Sequence, residues 1–359
     1  MQKKMIDRLV RDEVRVLKSY PETALPCRIK MDANENEWGL PQQVKEALIK
    51  DVLDFPFHRY PDSDGAALKG KLEEYTGVPA KNLIIGNGSD ELIRYVVDAF
   101  VSPGDKVVIP TPAFSMYRFF VDLAGGVVVE VGPEQGLRVD AQKVARTAKR
   151  ENAKLVFLCS PNNPTGEVIR VEDIEMVIEK SPGIVVVDEA YYEFCGRTVI
   201  DRVNSYPNLV VLRTLSKAAA LAGLRVGYLA AGDAIKNYLY RVKVPYNVGS
   251  FSQLAAMRVL ENRRAVDEWL DTFRSVRDEF IEDLRRVEGV TVFPTGANFV
   301  LLRIDRAHRV WEGLLKRGIL VRKFGKGPLE KCLRVTVCPP RQNKAFLEGL
   351  KEVLGEVYA

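Results

Sequence analysis

Four polar residues follow apolar runs of the chain, at positions where their side chains could share one ligand. Lys217, Asp188 and Asn163 each lie within five residues of the end of such a run, and Arg225 follows Lys217 after a turn of small residues. Continuous Val, Ile and Leu runs are typical of strands buried on both faces. Because ligands of open α/β sheets bind beyond the carboxyl ends of the strands, we expect these four side chains to meet around one molecule.

These side-chain types match the chemical groups of pyridoxal phosphate. A lysine amine forms an imine with an aldehyde, and a carboxylate at the end of a buried strand needs a cationic partner such as a protonated pyridine nitrogen. An asparagine amide donates to an anionic phenolic oxygen, and an arginine binds a phosphate. Tyr191, close behind Asp188, could reach the same phenolic oxygen. The sequence therefore predicts a pyridoxal phosphate site with Lys217 as its covalent anchor.

The stretch Gly86-Asn87-Gly88-Ser89-Asp90-Glu91 adds a second phosphate-binding feature, since it lies between an apolar run and a helical pattern. Its glycines allow close approach of the backbone, and Ser89 is expected to cap the helix. The free N–H groups of a helix start suit a phosphate. Glu91 stands where a dinucleotide-binding pattern has its third glycine, which argues against a dinucleotide.

Each of these features also has a structural interpretation that the sequence leaves open. Residues 86–91 could form only a tight turn with a capped helix, and Asn163 could be a turn residue between two prolines. Asp188 could be an N-cap or part of a structural ion pair. A solvated Lys217 is the weaker interpretation, because its neighbours are small or apolar. The ligand site is favoured because all four groups occur in register at successive strand ends.

The composition is that of a globular protein whose chemistry does not depend on histidine. The chain has 359 residues, enough for two lobes, of which 47% are apolar and 28% charged. Its two histidines, His58 and His308, exclude most imidazole-based schemes, and we expect no metal site. The formal charge of +5 is small for this length and no dense basic block occurs, so nucleic-acid binding is unsupported.

The sequence favours a cytoplasmic protein. Five scattered cysteines are an odd number, which fits a reducing compartment better than a disulfide framework. No apolar stretch reaches the ~18 residues that a membrane span needs. The charged N-terminus lacks the apolar centre of a signal peptide, and its apolar residues instead fit one face of a short helix: Ile6, Leu9, Val10, Val14 and Leu17.

The expected fold is α/β, with a mainly parallel sheet covered by helices and a smaller α+β lobe. Helical patterns alternate with seven apolar runs: Leu83–Ile85, Lys106–Ile109, Val127–Val131, Leu155–Leu158, Ile184–Val187, Leu209–Leu212 and Val226–Ala230. After about Phe251 a long helical stretch runs to about Val287, followed by strand-like segments at Val290–Phe293, Asn298–Ile304, Ile319–Val321 and Leu333–Val337. We expect an N-terminal arm and part of the small domain in residues 1–55, a large cofactor-binding domain in 56–250 and the rest of the small domain in 251–359.

From Met31 on, nearly the whole chain resembles the fold-type I pyridoxal-phosphate aminotransferases of class II, and most closely the histidinol-phosphate aminotransferases. The resemblance implies a seven-stranded sheet in the large domain. The stretches that carry it are Asp32–Asn36, Arg59–Asp62, Gly86–Glu91, Phe114–Tyr117, Pro161–Gly166, Val187–Tyr191, Thr214–Arg225, Pro245–Val248 and Leu333–Val337.

The resemblance also implies individual roles. It makes Lys217 the catalytic residue and assigns these residues to the cofactor: Gly88, Ser89 and Asp90 by their backbone, Phe114 by stacking, and Asn163, Asp188, Tyr191, Ser216 and Arg225. The side chain of Asp90 is expected to point away from the phosphate. Tyr60 resembles a tyrosine that reaches the partner subunit's cofactor, which implies a homodimer. Tyr20, Asn34, Arg322 and Arg334 resemble substrate-binding residues, although Arg334 could equally face solvent because it alternates with Leu333 and Val335.

The implied activity is amino transfer between L-histidinol phosphate and 2-oxoglutarate, which gives imidazole-acetol phosphate and glutamate in histidine biosynthesis. The chain departs from the family pattern at Glu37-Trp38, Ala219-Ala220 and Cys338, and we expect Glu37, Trp38 and Ala219 near the substrate pocket. An aromatic-amino-acid aminotransferase and a threonine-phosphate decarboxylase therefore stay open as alternatives. A non-catalytic regulator on this fold would need a DNA-binding module, for which we expect no room before Met31 or after Val337.

Overall fold

The computed structural model describes residues 2–17, 25–133, 135–325 and 327–358. The strands, in chain order, are β1 (Ile29–Met31), β2 (Leu83–Asn87), β3 (Lys106–Pro110), β4 (Val127–Val131), β5 (Leu155–Cys159), β6 (Ile184–Asp188), β7 (Leu209–Thr214), β8 (Val226–Ala231), β9 (Val290–Val292), β10 (Phe299–Ile304), β11 (Ile319–Lys323) and β12 (Cys332–Thr336). The α-helices are α1 (Gln2–Leu9), α2 (Asp12–Val16), α3 (Gln42–Leu53), α4 (Ala66–Thr76), α5 (Gly88–Phe100), α6 (Ser115–Leu123), α7 (Ala141–Arg150), α8 (Val171–Lys180), α9 (Tyr192–Cys195), α10 (Asp233–Val242), α11 (Ser250–Glu261), α12 (Arg263–Arg285), α13 (Ala307–Lys316) and α14 (Pro340–Tyr358). Short 3-10 turns lie at Ala80–Asn82, Gln135–Leu137, Ile200–Arg202 and Ala222–Leu224.

Seven strands form the large sheet, in the spatial order β2-β8-β7-β6-β5-β3-β4. Strand β8 is antiparallel to both neighbours, and the other pairs are parallel. Each of the seven predicted apolar runs is a strand of this sheet, so the mainly parallel α/β fold is confirmed. The inner strands β5 and β7 are buried throughout, whereas β4 lies at an edge and is partly exposed. Because β4 has a neighbouring strand on one side only, the residues of the run Val127–Val131 are less covered than those of an inner strand.

Five strands form the small sheet, in the order β1-β11-β12-β10-β9. Strand β1 comes from the N-terminal segment and pairs in parallel with β11, while the other pairs are antiparallel. Helices α13 and α14 pack against each other, and α13 also packs on β11. The predicted strand-like segments all occur in this sheet, within one or two residues of their expected bounds.

Two helical predictions are wrong in detail. The long helical stretch is divided into α11 and α12 at Asn262, whose side-chain amide donates to the carbonyl oxygen of Arg258 at 2.8 Å. That bond satisfies a carbonyl at the end of α11 and competes with continuation of the helix. The single N-terminal helix is likewise two helices, α1 and α2. Its apolar residues Ile6 and Leu9 do not form a buried face in this chain, since they are 57% and 72% exposed.

The small sheet meets the large sheet at the carboxyl ends of the parallel strands. Arg334 on β12 reaches Asn163, which follows β5, and Asn34 after β1 reaches Tyr191, which follows β6. Ligands of α/β sheets bind at this end, so the predicted site lies between the two sheets. None of the helices in the described ranges has the length and apolarity that crossing a bilayer requires.

Candidate active site

A cavity of about 610 Å³ opens between the two sheets. It brings together most of the side chains predicted from the sequence: Asn34, Ser89, Asp90, Phe114, Asn163, Asp188, Tyr191, Ser216, Lys217, Arg225, Arg322 and Arg334. Tyr60 lies outside this cavity, and Tyr20 lies outside the described residues. Within the described part of the chain, no group of three or more His, Cys, Asp and Glu side chains could hold a metal ion.

Lys217 lies three residues after β7, in the turn that leads to Arg225. Its Nζ donates to the carbonyl oxygen of Ala33 at 3.1 Å, so the amine faces the N-terminal strand of the small sheet. Burial lowers the pKa of this amine to about 8, and the positive charge of Arg334 lowers it in the same direction. A neutral amine close to neutral pH is a nucleophile and a base.

Asp188 ends β6 and is 3% exposed. The hydroxyl of Tyr117 donates to its Oδ2 at 2.6 Å, and the backbone N–H of Ala190 donates to its Oδ1 at 3.0 Å. Burial raises the pKa of the carboxyl group to about 6, although both hydrogen bonds lower it. Among the described residues, no basic side chain forms an ion pair with it. A buried carboxylate of this kind fits a cation supplied by a ligand, such as a protonated pyridine nitrogen.

Two hydrogen-bond donors are oriented toward the same part of the cavity by residues of the small sheet. The side-chain oxygen of Asn163 accepts from Arg334 Nη1, so the N–H groups of the amide can donate to a ligand. The hydroxyl oxygen of Tyr191 accepts from Asn34 Nδ2 at 2.9 Å, so its own proton can also be donated. Two converging donors suit an anionic oxygen such as a phenolate.

A phosphate would fit the start of α5. Gly88 is the first residue of this helix and has φ 76, and a Cβ there would lie 2.5 Å from Arg225 Nη2. The guanidinium therefore packs directly on the helix start, where the free N–H groups and the helix dipole favour an anion. Arg225 itself has φ 53, in the left-handed region, which turns its side chain back toward Ser216, whose Oγ lies 3.4 Å from Nη1. The bend predicted between Lys217 and Arg225 is the 3-10 turn Ala222–Leu224.

One expectation about this loop differs from the structure. The N-cap of α5 is Asn87 and not Ser89, which lies inside the first turn. The backbone N–H of Asn87 is held by the carboxylate of Glu91 at 2.7 Å, so a glutamate of the helix closes the turn. The side chain of Asp90 pairs with Arg225, with Oδ2 3.1 Å from Nη2, and its expected orientation away from a phosphate stays a prediction.

Phe114 lies at the wall of the cavity, where its ring could cover the face of a flat ligand. It precedes α6 and lines the cavity, and its ring meets that of Tyr117 edge-on, with centroids 5.6 Å apart. Sequence reasoning gave Tyr117 no role. The available signal was that Phe114 and Tyr117 belong to one of the stretches that carry the family resemblance.

Arg322 and Arg334 form the cationic side of the cavity. They are directly paired across β11 and β12, and opposite residues of an antiparallel pair share one face of the sheet. Arg334 is 8% exposed, so the solvent-facing alternative is wrong. Its guanidinium also donates to the carbonyl oxygen of Asp32. Lys30, which the sequence analysis did not select, lines the same cavity and pairs with Asp32 and Glu35.

Three further residues were expected near the substrate: Asn34, Trp38 and Ala219. The side chain of Asn34 lines the large cavity, is 1% exposed and donates to the hydroxyl of Tyr191, and its role toward a substrate stays a prediction. Trp38 and Ala219 line a separate cavity of about 340 Å³, which they share with Trp269. This second cavity adjoins the backbone at Ala218, next to Lys217, and is not part of the larger cavity.

The residues present fit pyridoxal phosphate. The cavity offers an amine, an uncompensated buried carboxylate, two donors for an anionic oxygen, an aromatic face and a cationic helix start. Fold and site together define a pyridoxal-phosphate enzyme of fold type I. The chain belongs to the family of class I and II aminotransferases, whose family model matches residues 28–350.

Individual relatives of the chain indicate a narrower activity than the family model does. Histidinol-phosphate aminotransferase of Thermoanaerobacter sp. is 44% identical over 351 residues, covering 98% of this chain and 100% of that protein. The histidinol-phosphate aminotransferase of Caldanaerobacter subterraneus subsp. tengcongensis is 42% identical over 352 residues, with the same shares covered. The crystal structure of histidinol-phosphate aminotransferase from Sinorhizobium meliloti in complex with pyridoxal phosphate aligns with a TM-score of 0.91 at 25% identity, covering 97% and 98% of the two chains.

Proposed function

We infer that this protein is a pyridoxal-phosphate-dependent aminotransferase of histidine biosynthesis. It transfers the amino group of L-histidinol phosphate to 2-oxoglutarate and yields imidazole-acetol phosphate and glutamate. The observation that carries this function is one cavity that holds Lys217, the buried carboxylate of Asp188 and the paired arginines Arg322 and Arg334. Identities of 42% and 44% over nearly full length to proteins of this activity support the substrate.

The chemistry that pyridoxal phosphate supplies when bound is an electron-withdrawing ring, which stabilises the charge left when a proton leaves the substrate carbon beside the amine. Asp188 would hold a positive charge at the ring nitrogen, because a buried carboxylate favours a paired cation. Asn163 and Tyr191 would donate to the phenolic oxygen, Phe114 would cover one ring face, and Arg225 would bind the phosphate.

Lys217 is the base. Its Nζ would take the proton from the substrate carbon beside the amine and hold it, and in the reverse direction it would return a proton to that carbon for the second substrate. An amine with a pKa near its ordinary value of 10.5 would be almost fully protonated at neutral pH. The lowered pKa makes the neutral form accessible where the enzyme works, so burial of this side chain serves the catalytic step.

Arg322 and Arg334 recognise the anionic end of the substrate. The two arginines lie opposite each other on neighbouring strands and both line the cavity, and a guanidinium binds both phosphate and carboxylate through paired N–H groups. The two half-reactions bring a phosphate and carboxylates in turn to the same cavity. Guanidinium recognition of both anion types explains how one site accepts both substrates.

A substrate panel with 2-oxoglutarate as acceptor tests the function. Histidinol phosphate should exceed phenylalanine in kcat/KM by at least about a hundredfold, since phenylalanine lacks the phosphate and offers the two arginines only a carboxylate with fewer acceptor oxygens and less charge. Threonine phosphate should release no carbon dioxide. Lys217→Ala should abolish turnover and the absorbance of the imine between lysine and cofactor, whereas an active alanine variant that keeps this absorbance would exclude the residue as the anchor. Faster transfer from phenylalanine would instead identify an aromatic-amino-acid aminotransferase.

We also propose a homodimer in which Tyr60 completes the partner subunit's site. In the single chain Tyr60 is 83% exposed, stacks on Tyr246 with centroids 4.9 Å apart, and neighbours Phe57, which is 69% exposed. Exposed aromatic residues of this density are typical of an interface. A mixture of Tyr60→Ala and Lys217→Ala chains should regain about a quarter of the wild-type activity, because half of the dimers are mixed and one of their two sites is intact. No recovery after subunit exchange would refute the shared site.

We further propose that residues 1–55 form an arm and part of the small domain, 56–250 the large domain and 251–359 the remainder of the small domain. The strand origins support this division, since β2 to β8 lie within 83–231 and β1 joins β9 to β12. A cytoplasmic location is supported by five cysteines without disulfide bonds. Limited proteolysis near residues 56 and 250, and thiol titration of the native protein, test the two proposals.

A further inference from the structure

Tyr117 is a buried side chain that contacts two of the residues assigned to the cofactor ring. Its hydroxyl bonds the Asp188 carboxylate, and its ring meets the Phe114 ring at an interplanar angle of 86°. On another side the ring stacks on Phe157, with centroids 4.7 Å apart and planes inclined by 11°. The side chain is 1% exposed, so the packing leaves it little freedom.

The direction of the hydrogen bond is fixed by the charges around it. Burial and the nearby charge of Asp188 raise the pKa of the Tyr117 phenol well above its ordinary value, so the phenol stays protonated and donates. The second carboxylate oxygen accepts from the backbone of Ala190. Two donors, one from α6 and one from the turn after β6, therefore fix the plane of the carboxylate.

We propose that Tyr117 is a positioning residue for the pyridine ring of the cofactor. Its hydroxyl keeps Asp188 ionised and aimed at the nitrogen of the pyridine ring. Its own aromatic ring sets the angle at which Phe114 covers the face of the pyridine ring. This inference rests on the proposed function, because it requires pyridoxal phosphate to bind between these side chains. The two contacts can be separated, since Tyr117→Phe would keep the ring contact and lose only the hydroxyl.

The other titratable groups that face the Asp188 carboxylate do not supply a cation. They are Asp90 on α5, Cys159 on β5, and Glu189 and Tyr191 after β6. Burial raises the pKa of Asp188 to about 6, Asp90 and Glu189 raise it in the same direction, and the hydroxyl of Tyr117 lowers it. Removing the hydroxyl therefore reduces the ionised fraction of Asp188 near neutral pH and has no effect once the pH is high enough to ionise the group in both proteins.

The experiment measures the dissociation constant of pyridoxal phosphate from the apoprotein between about pH 6 and about pH 9. Tyr117→Phe should bind more weakly than the wild type at the acidic end, by about tenfold for each unit that the carboxyl pKa rises, and equally at the alkaline end. Tyr228→Phe is the matched control, because Tyr228 is a fully buried tyrosine of β8 without a hydrogen bond to Asp188 in the described chain. Its binding should follow the wild type at every pH.

A deaza analogue of the cofactor, with carbon in place of the ring nitrogen, tests whether the deficit needs that nitrogen. Tyr117→Phe should bind the analogue as the wild type does, whereas a deficit with the analogue, or an equal deficit at every pH, would overturn the proposal. Loss of folded apoprotein in Tyr117→Phe but not in Tyr228→Phe would overturn it as well, since the hydroxyl would then be structural. Asp188→Asn tests the cofactor site independently of Tyr117. If this variant has the wild-type affinity for pyridoxal phosphate and the same pH dependence, the proposed cofactor site itself fails.

Discussion

The amine of Lys217 should titrate about two to three pH units below an ordinary lysine in the protein without cofactor. A pKa of about 8 instead of 10.5 makes about one amine in ten neutral at pH 7, compared with about one in three thousand for an unperturbed lysine. That difference of about 300-fold in neutral amine is the contribution that the folded chain makes to the reactivity of this residue.

Two substitutions should move this pKa in opposite directions. The positive charge of Arg334 lowers the pKa of Lys217, so Arg334→Gln should raise it. The negative charge of Asp90 raises it, so Asp90→Asn should lower it. The second change also removes the ion-pair partner of Arg225, whose own positive charge acts on Lys217 in the lowering direction.

Competitive labelling with trace acetic anhydride measures the titration, since only neutral amines react and mass spectrometry identifies each peptide. Lys331 is the internal reference, because its bond to Asp305 raises its pKa and it should label at higher pH than Lys217. A midpoint for Lys217 at or above that of a free lysine, about 10.4, would refute the reasoning. So would a shift of both variants in the same direction.

Three further predictions concern the site and its support. Asp188→Asn should reduce turnover by at least about a hundredfold, measured in steady state, since a ring cation that loses its buried partner costs about 3 kcal/mol or more. Arg213→Met should destabilise the protein by about 3–5 kcal/mol in urea unfolding, because Glu189, which is 1% exposed, would be left as a buried charge without its partner at 2.9 Å. Adding Glu189→Leu should restore part of that stability, and no restoration would argue against an uncompensated charge. Gly88→Ala should weaken binding of pyridoxal phosphate to the apoprotein, because the new Cβ would displace Arg225 from the helix start and the residue has φ 76.

The large sheet could be predicted from the sequence because its inner strands are buried on both faces. Burial on both faces requires continuous apolar runs, and such runs as Leu155–Leu158 and Ile184–Val187 are visible without any knowledge of the partner strands. The residues that follow parallel strands then lie at one edge of the sheet. That rule alone brought Asn163, Asp188 and Lys217 together.

The ends of elements could not be predicted in the same way, because they depend on individual hydrogen bonds. The break at Asn262 and the capping of α5 by Asn87 are set by side-chain contacts to the backbone a few residues away. The apolar residues of α1 satisfied helical spacing, yet Leu9 stays exposed. Hydrophobic periodicity in the sequence indicates which face of a helix is apolar, but it does not indicate which other residues pack against that face.

The contacts between the sheets join residues far apart in the chain, and they tie substrate recognition to the cofactor site. Arg334 Nη1 donates to the side-chain oxygen of Asn163, whose N–H groups are the donors proposed for the phenolic oxygen. A substrate anion that binds Arg334 accepts from the same guanidinium and therefore competes with Asn163 for it. Asn163 then loses the bond that orients its amide unless the guanidinium serves both acceptors, which its five N–H groups allow. If Arg334 binds the substrate anion as proposed, one guanidinium contacts both that anion and Asn163, and Arg334 is then the residue that links the substrate site to the cofactor site.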